Sequence, residues 1–458
     1  MNSLQQYLDL YRENARLIDS NSADALNRLR PDALNALQGK SLPTQASEDY
    51  ERTSIDKMMA PDFGLNIGRV DIPVDVTASF RCNVPNMSTL LAFTVNDIFK
   101  PTQHLADRLS DGVRFMSLKK AASEMPDIVA RHYGSASPIE DPLVALNSLL
   151  VQDGVFIYVP DGVTVNRPLQ LVNIFNATIP ALAAMRRVLI VLGKGARCQF
   201  LTCDHTQDAV NSYLSSQVTE IILGEGASLD YCEIEESSAM TSRAASLYVE
   251  QSAASRFSST TVTLTCGNTR NNMTVNLNGE GCITYLGGMA VNSDKRHIDN
   301  CTRVNHNAPR CKSDQKFKYV LDDESTGAFE GTILVTGDAP FTQAYQSNRN
   351  ILASPVAKMH TKPQLLIYND DVKCSHGATT GQLDNEALFY MRTRGIPEKE
   401  ARTMLMQAFM SDIIEGVSIE GLRDRLRHLV KMRFHGTDSF CENCGGNIRR
   451  EQCNNDSL

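Results

Sequence analysis

The chain has 458 residues, room for about three structural units and a large buried core. Its 45 basic and 53 acidic residues leave a formal net charge of −8, which argues against a general binder of nucleic acid or of anionic membranes. Tryptophan is absent and the 12 cysteines are scattered through a chain too long to need a disulfide framework, so a core of Val, Ile, Leu, Ala and Thr is expected.

The N-terminal stretch MNSLQQYLDLYRENARL lacks a basic segment followed by an apolar one. No apolar run reaches the roughly 18 to 20 residues of a membrane span, since Ile179 to Leu192 is interrupted by Arg186 and Arg187. The expectation is a cytoplasmic protein with reduced cysteines, most of them acting as small buried hydrophobes.

A first, mainly helical domain is predicted over 1–139. Leu4, Tyr7, Leu8, Tyr11, Ala15 and Ile18 recur at helical spacing behind Ser3 as a candidate N-cap, and a second amphipathic piece spans about 23–37. Val70 to Phe80 alternates like a strand, and Leu105, Leu109, Val113 and Met116 predict a return to helix over about 103–133.

From about 140 to 380 the texture becomes short β-rich runs separated by small-residue turns. Gly195, Gly226, Ala254 and Gly281 mark turns 31, 28 and 27 residues apart, with less regular ones near Ala308, Gly327, Ala339 and Ala357. Such a repeat is the mark of a solenoid whose stacked units share one core, and a right-handed parallel β-helix is the predicted fold. An antiparallel sandwich of hairpins is the competing reading.

A helical domain is predicted over 381–435. Asp384 caps a helix carrying Leu388 and Met391, Gly395 ends it, and Pro397 stands at the first position of the next, with Glu398 and Glu400 in its first turn. Ala401, Met404, Leu405, Ala408 and Phe409 form that helix's predicted stripe up to Gly416. A last helix sets Leu422, Leu426, Leu429 and Val430 against Arg423, Arg425, Arg427, Lys431 and Arg433, either a solvated basic face or a dock for an acidic partner. Residues 436–458 form a cysteine-containing tail.

Enzyme signatures fail. Gly39-Lys40-Ser41 lacks the earlier glycine of a phosphate loop because position 34 is Leu34, and Gly193-x-Gly195 and Gly224-x-Gly226 recur at turn spacing without a third glycine. A β-helix enzyme acting on polysaccharide would use carboxylates such as Asp322, Asp323 and Glu324, but that class is normally exported.

Two Cys/His constellations remain. Cys374 and His376, within Asp370-Asp371-Val372-Lys373-Cys374-Ser375-His376-Gly377, project to one side if the strand continues, where a thiolate and an imidazole suit iron, copper or zinc. Two ligands are too few for a closed site, so others must come from elsewhere or from another chain. His435, Cys441, Cys444 and Cys453 have the spacing of a zinc or iron knuckle or a redox pair.

Several segments then line up as words: Lys312-Ser313-Asp314-Gln315, Phe329-Glu330-Gly331, Gln343 to Asn350, Thr361-Lys362-Pro363-Gln364-Leu365, Asp370 to Gly377, and Gly381-Gln382-Leu383-Asp384. Their succession resembles the SufD branch of the SufB/SufD scaffold family, part of the SUF system of iron-sulfur cluster assembly. The likeness is strongest from about 310 to 415 and thin at the N-terminus, where Tyr50 stands at the family's usual Trp.

The resemblance implies a β-helix between helical domains and a non-catalytic role without a tightly bound cofactor in isolation. It implies pairing with a SufB-like paralogue through the last β-helix strands, and docking of a SufC-like ABC ATPase on the C-terminal helices, where Met404, Leu405 and Phe409 are candidates. His376 becomes the candidate ligand of a transient iron-sulfur cluster, Cys374 a neighbouring thiol, and Asp370, Asp371, Lys373 and Gly377 parts of the interface motif. An exposed terminal β edge makes a homodimer the expectation when the paralogue is missing. The Cys-x-x-Cys tail departs from the family pattern.

Overall fold

The computed structural model describes residues 3–74, 88–110, 112–177 and 179–434. Its strands, in chain order, begin with β1 Gly64–Leu65, β2 Leu90–Val95, β3 Ile98–Pro101, β4 Arg114–Ser117, β5 Val155–Val159, β6 Leu169–Phe175 and β7 Ala181–Leu192. They continue with β8 Arg197–Thr206, β9 Ser212–Leu223, β10 Ser228–Glu236, β11 Thr241–Gln251, β12 Arg256–Thr265, β13 Asn268–Leu277 and β14 Ile283–Asn292. The last are β15 His297–His306, β16 Lys312–Leu321, β17 Thr326–Val335, β18 Thr342–Leu352, β19 Lys358–Ile367 and β20 Val372–Gly381.

From β5 onward the strands alternate between two sheets, odd ones in the first and even ones in the second, each paired in parallel with its neighbours two strands away. This is a parallel β-solenoid, and the antiparallel sandwich is excluded by that pairing. Register runs from Arg197 through Ser228, Arg256, Ile283 and Lys312 to Gln343.

One corner explains the repeat. Gly195, Gly226, Ala254, Gly281, Arg310 and Phe341 all have φ between 57° and 75°, the left-handed region. Each N–H donates to a carbonyl of the next rung, as in Gly195 to Glu225, Ala254 to Glu280 and Arg310 to Pro340, at 2.8 to 2.9 Å. The expected turns near Ala308 and Ala339 therefore centre on Arg310 and Phe341, whereas Gly327 lies inside β17. There, as at Gly331, the lack of a side chain serves packing: a Cβ on Gly327 would meet Leu321 and Met359 within 2.9 Å.

The interior of the early rungs is apolar, with Phe115, Phe200, Tyr231 and Phe257 in successive ring contacts at 5.7 to 6.5 Å. Towards the end it turns polar: Ser313, Gln315, Gln346, Asn348, Asn350 and His306 are all buried. His306 is held neutral by burial, which pushes its imidazole down to about 4, and its Nε2 lies 2.8 Å from Ser313 Oγ.

Helices cover both broad faces. Those at Leu4–Ser20, Arg30–Leu37 and Pro142–Leu150 pack on Ala183, Met185, Leu214 and Ala244 of the odd sheet. Those at Glu398–Glu415 and Glu420–Phe434 pack on Leu201, Ile234, Val262, Met289 and Val320 of the even sheet. The change of texture expected at 140 is thus blurred: β2, β3 and β4 already join the sheets, and the helix from Pro142 belongs to the N-terminal layer.

Several local expectations need correction. The continuous helix expected over 103–133 is one turn at Leu105–Arg108, then β4, then helices Leu118–Glu124 and Pro126–His132. Gly112, at φ 78°, turns the chain so that Arg114 to Ser117 pair antiparallel with β5. Ser3 does not cap its helix; its hydroxyl donates to Asp56 at 2.7 Å. The alternating stretch from Val70 is not a strand up to residue 74, and its remainder lies outside the described residues.

The N-terminal layer is clamped by charge. Asp49 and Glu51 reach Lys362 of β19 at 3.8 and 3.6 Å, and Tyr50 lies under the Arg270 guanidinium, 4.6 Å from its ring centre. Deeper, the fully buried Arg187–Glu220 pair at 2.6 Å also receives the N–H groups of Gly134, Ala136 and Ser137, tying that loop to the odd sheet. Removing one partner of such a pair strands a buried charge, so Glu220→Ala is expected to destabilise the fold by about 3 to 5 kcal/mol in chemical denaturation; a loss below about 1 kcal/mol would contradict the clamp.

Candidate functional site

The last rung is formed by β19 and β20, and both are outermost in their sheets. Each is ten residues long and, among the described residues, has one edge without a paired strand. At the other end the sheets finish in β3 and β4, antiparallel strands of four residues each. Short terminal strands blunt an edge; long ones invite pairing with another chain.

β20 pairs with β18 in register, Ala344 opposite Cys374 and Gln346 opposite His376. Ala344 and Gln346 are buried inward-facing residues, so Cys374 and His376 occupy the same inward columns one rung further out. They stand roughly 6.6 Å apart along the strand. The sequence placed them on one side, and the strand does so.

Their environments differ. Cys374 is half-buried and packs with Ile333, Val335, Ala339, Ala344, Leu365 and Val372. That burial raises its thiol above the ordinary 9.0, partly offset by a backbone hydrogen bond from Ala344. His376 is exposed. Among the described residues no three His, Cys, Asp or Glu side chains converge to hold a metal ion.

The surrounding motif is partly turn chemistry. Asp371 receives the N–H of Phe341 on its carbonyl at 2.7 Å, and its own N–H donates to Asn369 Oδ1 at 2.9 Å, while Asp370 and Lys373 are exposed. A Cβ on Gly377 would meet nothing within 4 Å, so nothing in the described chain demands glycine there. Leu366, Ile367 and Tyr368 add exposed apolar surface at this end.

The C-terminal helices present less than expected. Asp384 caps its helix, its carboxylate accepting from Glu386 and Ala387 N–H, and Gly395 ends it at φ 85°; Pro397 is the N-cap, one place earlier than expected. The buried face of the next helix runs through Ala401, Met406, Met410, Ile413 and Ile414. Leu405 and Phe409 pack against the solenoid, with Lys318 Nζ 4.7 Å from the Phe409 ring centre, so of the three expected docking residues only Met404 is exposed. In the last helix Arg427 is paired with Glu415 and Asp424, and Arg433 is buried and donates to Ser293.

Of the other cysteines expected inside, Cys198, Cys203, Cys232, Cys266, Cys282 and Cys311 are buried, Cys301 is intermediate and all are free. Cys82, His435, Cys441, Cys444 and Cys453 lie outside the described residues. Asp322, Asp323 and Glu324 form the exposed turn after β16, with Asp323 at φ 49° and Glu324 reaching Lys295 at 3.7 Å, which is turn geometry rather than a catalytic pair in a cleft. The sequence reading passed over Gln346, although the alternation Ala344, Gln346, Asn348, Asn350 puts amides where an apolar core was expected.

A family model described as the SufBD core domain of SUF-system iron-sulfur cluster assembly matches residues 175–409, and one for the SufBD N-terminal region matches 1–171. An iron-sulfur cluster assembly SufBD family protein of Synechocystis is 25% identical over 440 residues, spanning 94% of this chain and 96% of the relative. The iron-sulfur cluster assembly protein SufD of Bacillus subtilis is 27% identical over 344 residues (72% and 76%), and that of Escherichia coli 37% over 167 residues (36% and 40%).

Because the thiolate is the reactive form, Cys374 is expected to alkylate more slowly at neutral pH than a free cysteine, with a rate still rising past pH 9 when followed by peptide mass spectrometry. A rate that levels off near neutrality would contradict the burial described.

Proposed function

The chain belongs to the SufBD family of iron-sulfur cluster assembly proteins, and we propose that within it this protein is the SufD-type scaffold subunit, non-catalytic by itself, whose open last rung is completed by a SufB-like paralogue. The observation that carries this reading is the position of Cys374 and His376 on the uncovered β20. A partner strand added at that edge satisfies the free backbone row and brings further ligands to the two side chains.

The cluster is cargo, and the chemistry suits cargo. An incomplete Cys/His set shared between chains holds iron less permanently than four thiolates on one chain. Cys374 binds metal only after losing its proton, so burial of the thiol makes its ligation conditional on pH and on the arrangement around it. Gly377, which this fold leaves unconstrained, gives an incoming backbone room to approach.

A SufC-like ATPase is assigned to the outer surface of the C-terminal helices, where Met404, Phe389 and Tyr390 are exposed. Without the paralogue, the same β edge supports a homodimer. His435, Cys441, Cys444 and Cys453 are assigned to an accessory zinc or iron knuckle; a Cys441→Ser/Cys444→Ser chain is expected to lose the metal found by elemental analysis in the parent, and equal content in both refutes the knuckle.

Co-expression with SufB-like and SufC-like partners tests the main reading. His376→Ala is expected to leave complex formation intact while lowering cluster yield by about tenfold or more. Unchanged yield would remove His376 from the site.

A further inference from the structure

Directly beneath His376 the interior is polar and unsatisfied. Gln346 is 3% exposed, and among the described residues neither its Nε2 nor its Oε1 has a hydrogen-bond partner. One rung further in, Gln315 accepts from Thr302 Oγ1 at 2.8 Å while its own Nε2 is unpartnered. The Gln346 carboxamide rests against Gly331 of the facing sheet, where a Cβ would fall 2.1 Å from Gln346 Nε2. A glycine thus keeps open the space that the amide fills.

Burying an amide without partners opposes folding, and an apolar side chain of similar length would fill the space without that penalty. Within its own fold the residue is a liability, and it sits immediately below the candidate ligand.

We propose that Gln346 is a positioning residue of the assembly site. When the partner covers the open end and His376 turns inward, the Gln346 carboxamide oxygen accepts one imidazole N–H, fixing the tautomer and leaving the lone pair of the other ring nitrogen for iron. Adjacent rungs lie roughly 4.8 Å apart, a gap that side chains of one column can span. A metal-binding imidazole ordinarily donates its second N–H to an oxygen acceptor, and Gln346 is a buried acceptor in that column with no partner among the described residues. This rests on the reading of His376 as a cargo ligand.

The test is Gln346→Met, in the isolated chain and in the complex with both partners. The thermal midpoint of the isolated chain is expected to rise, complex stoichiometry to hold, and cluster yield to fall about tenfold, the usual effect of removing a ligand's outer partner. A fall in both midpoint and yield would make Gln346 structural and overturn the proposal. Full yield in Gln346→Met beside a deficient His376→Ala overturns it while the scaffold reading stands. If His376→Ala also gives full yield, the assignment of His376 falls and this proposal with it; loss confined to Gln346→Met would overturn action through His376.

Discussion

A parallel solenoid satisfies the backbone of every rung through the next one, so the last rung is left with a row of unpaired N–H and C=O groups. In this chain that constraint is resolved differently at the two ends. Towards the N-terminus the sheets shrink to the four-residue β3 and β4, which turn antiparallel. Towards the C-terminus they stop at full width, with ten-residue β19 and β20. The helical layers lie on the broad faces, one on each sheet, and among the described residues they do not extend the sheets at this end.

The chemistry of the open end follows from the stacking rule. In a solenoid each inward residue stands on the residue one rung below, so Cys374 and His376 extend columns that are already buried at Ala344 and Gln346. A strand added beyond β20 in the same register would stand over these side chains. The polar interior of the last rungs, with His306, Gln315 and Gln346 buried, belongs to the same end. There they stand beside the apolar column that runs the length of the solenoid, from Leu90 to Phe329.

Much of this was legible in the sequence because left-handed turns leave a compositional trace. Gly195, Gly226, Ala254 and Gly281 stood out by size and spacing, but the series continues through Arg310 and Phe341, whose side chains carry no such signal. Asp384 and Gly395 marked a helix correctly because caps are local. The region 103–133 misled because Leu105, Leu109, Val113 and Met116 fit a helical period while Gly112 and pairing with β5 decided the conformation. An apolar stripe also does not say what it packs against: Leu405 and Phe409 are half-buried against the even sheet. The placement of Cys374 and His376 on one side needed only the period of a strand; the unsatisfied Gln346 beneath them needed the register.

Backbone hydrogen exchange over β19 and β20, measured on the isolated chain diluted until size-exclusion chromatography shows a monomer and again after addition of the SufB-like partner, tests most directly whether the open last rung is the docking edge. Fast exchange is expected on the edge positions of Lys358–Ile367 and Val372–Gly381 in the monomer and strong slowing in the complex, with the interior strands unchanged. Slowing elsewhere with these two strands unaffected would contradict it.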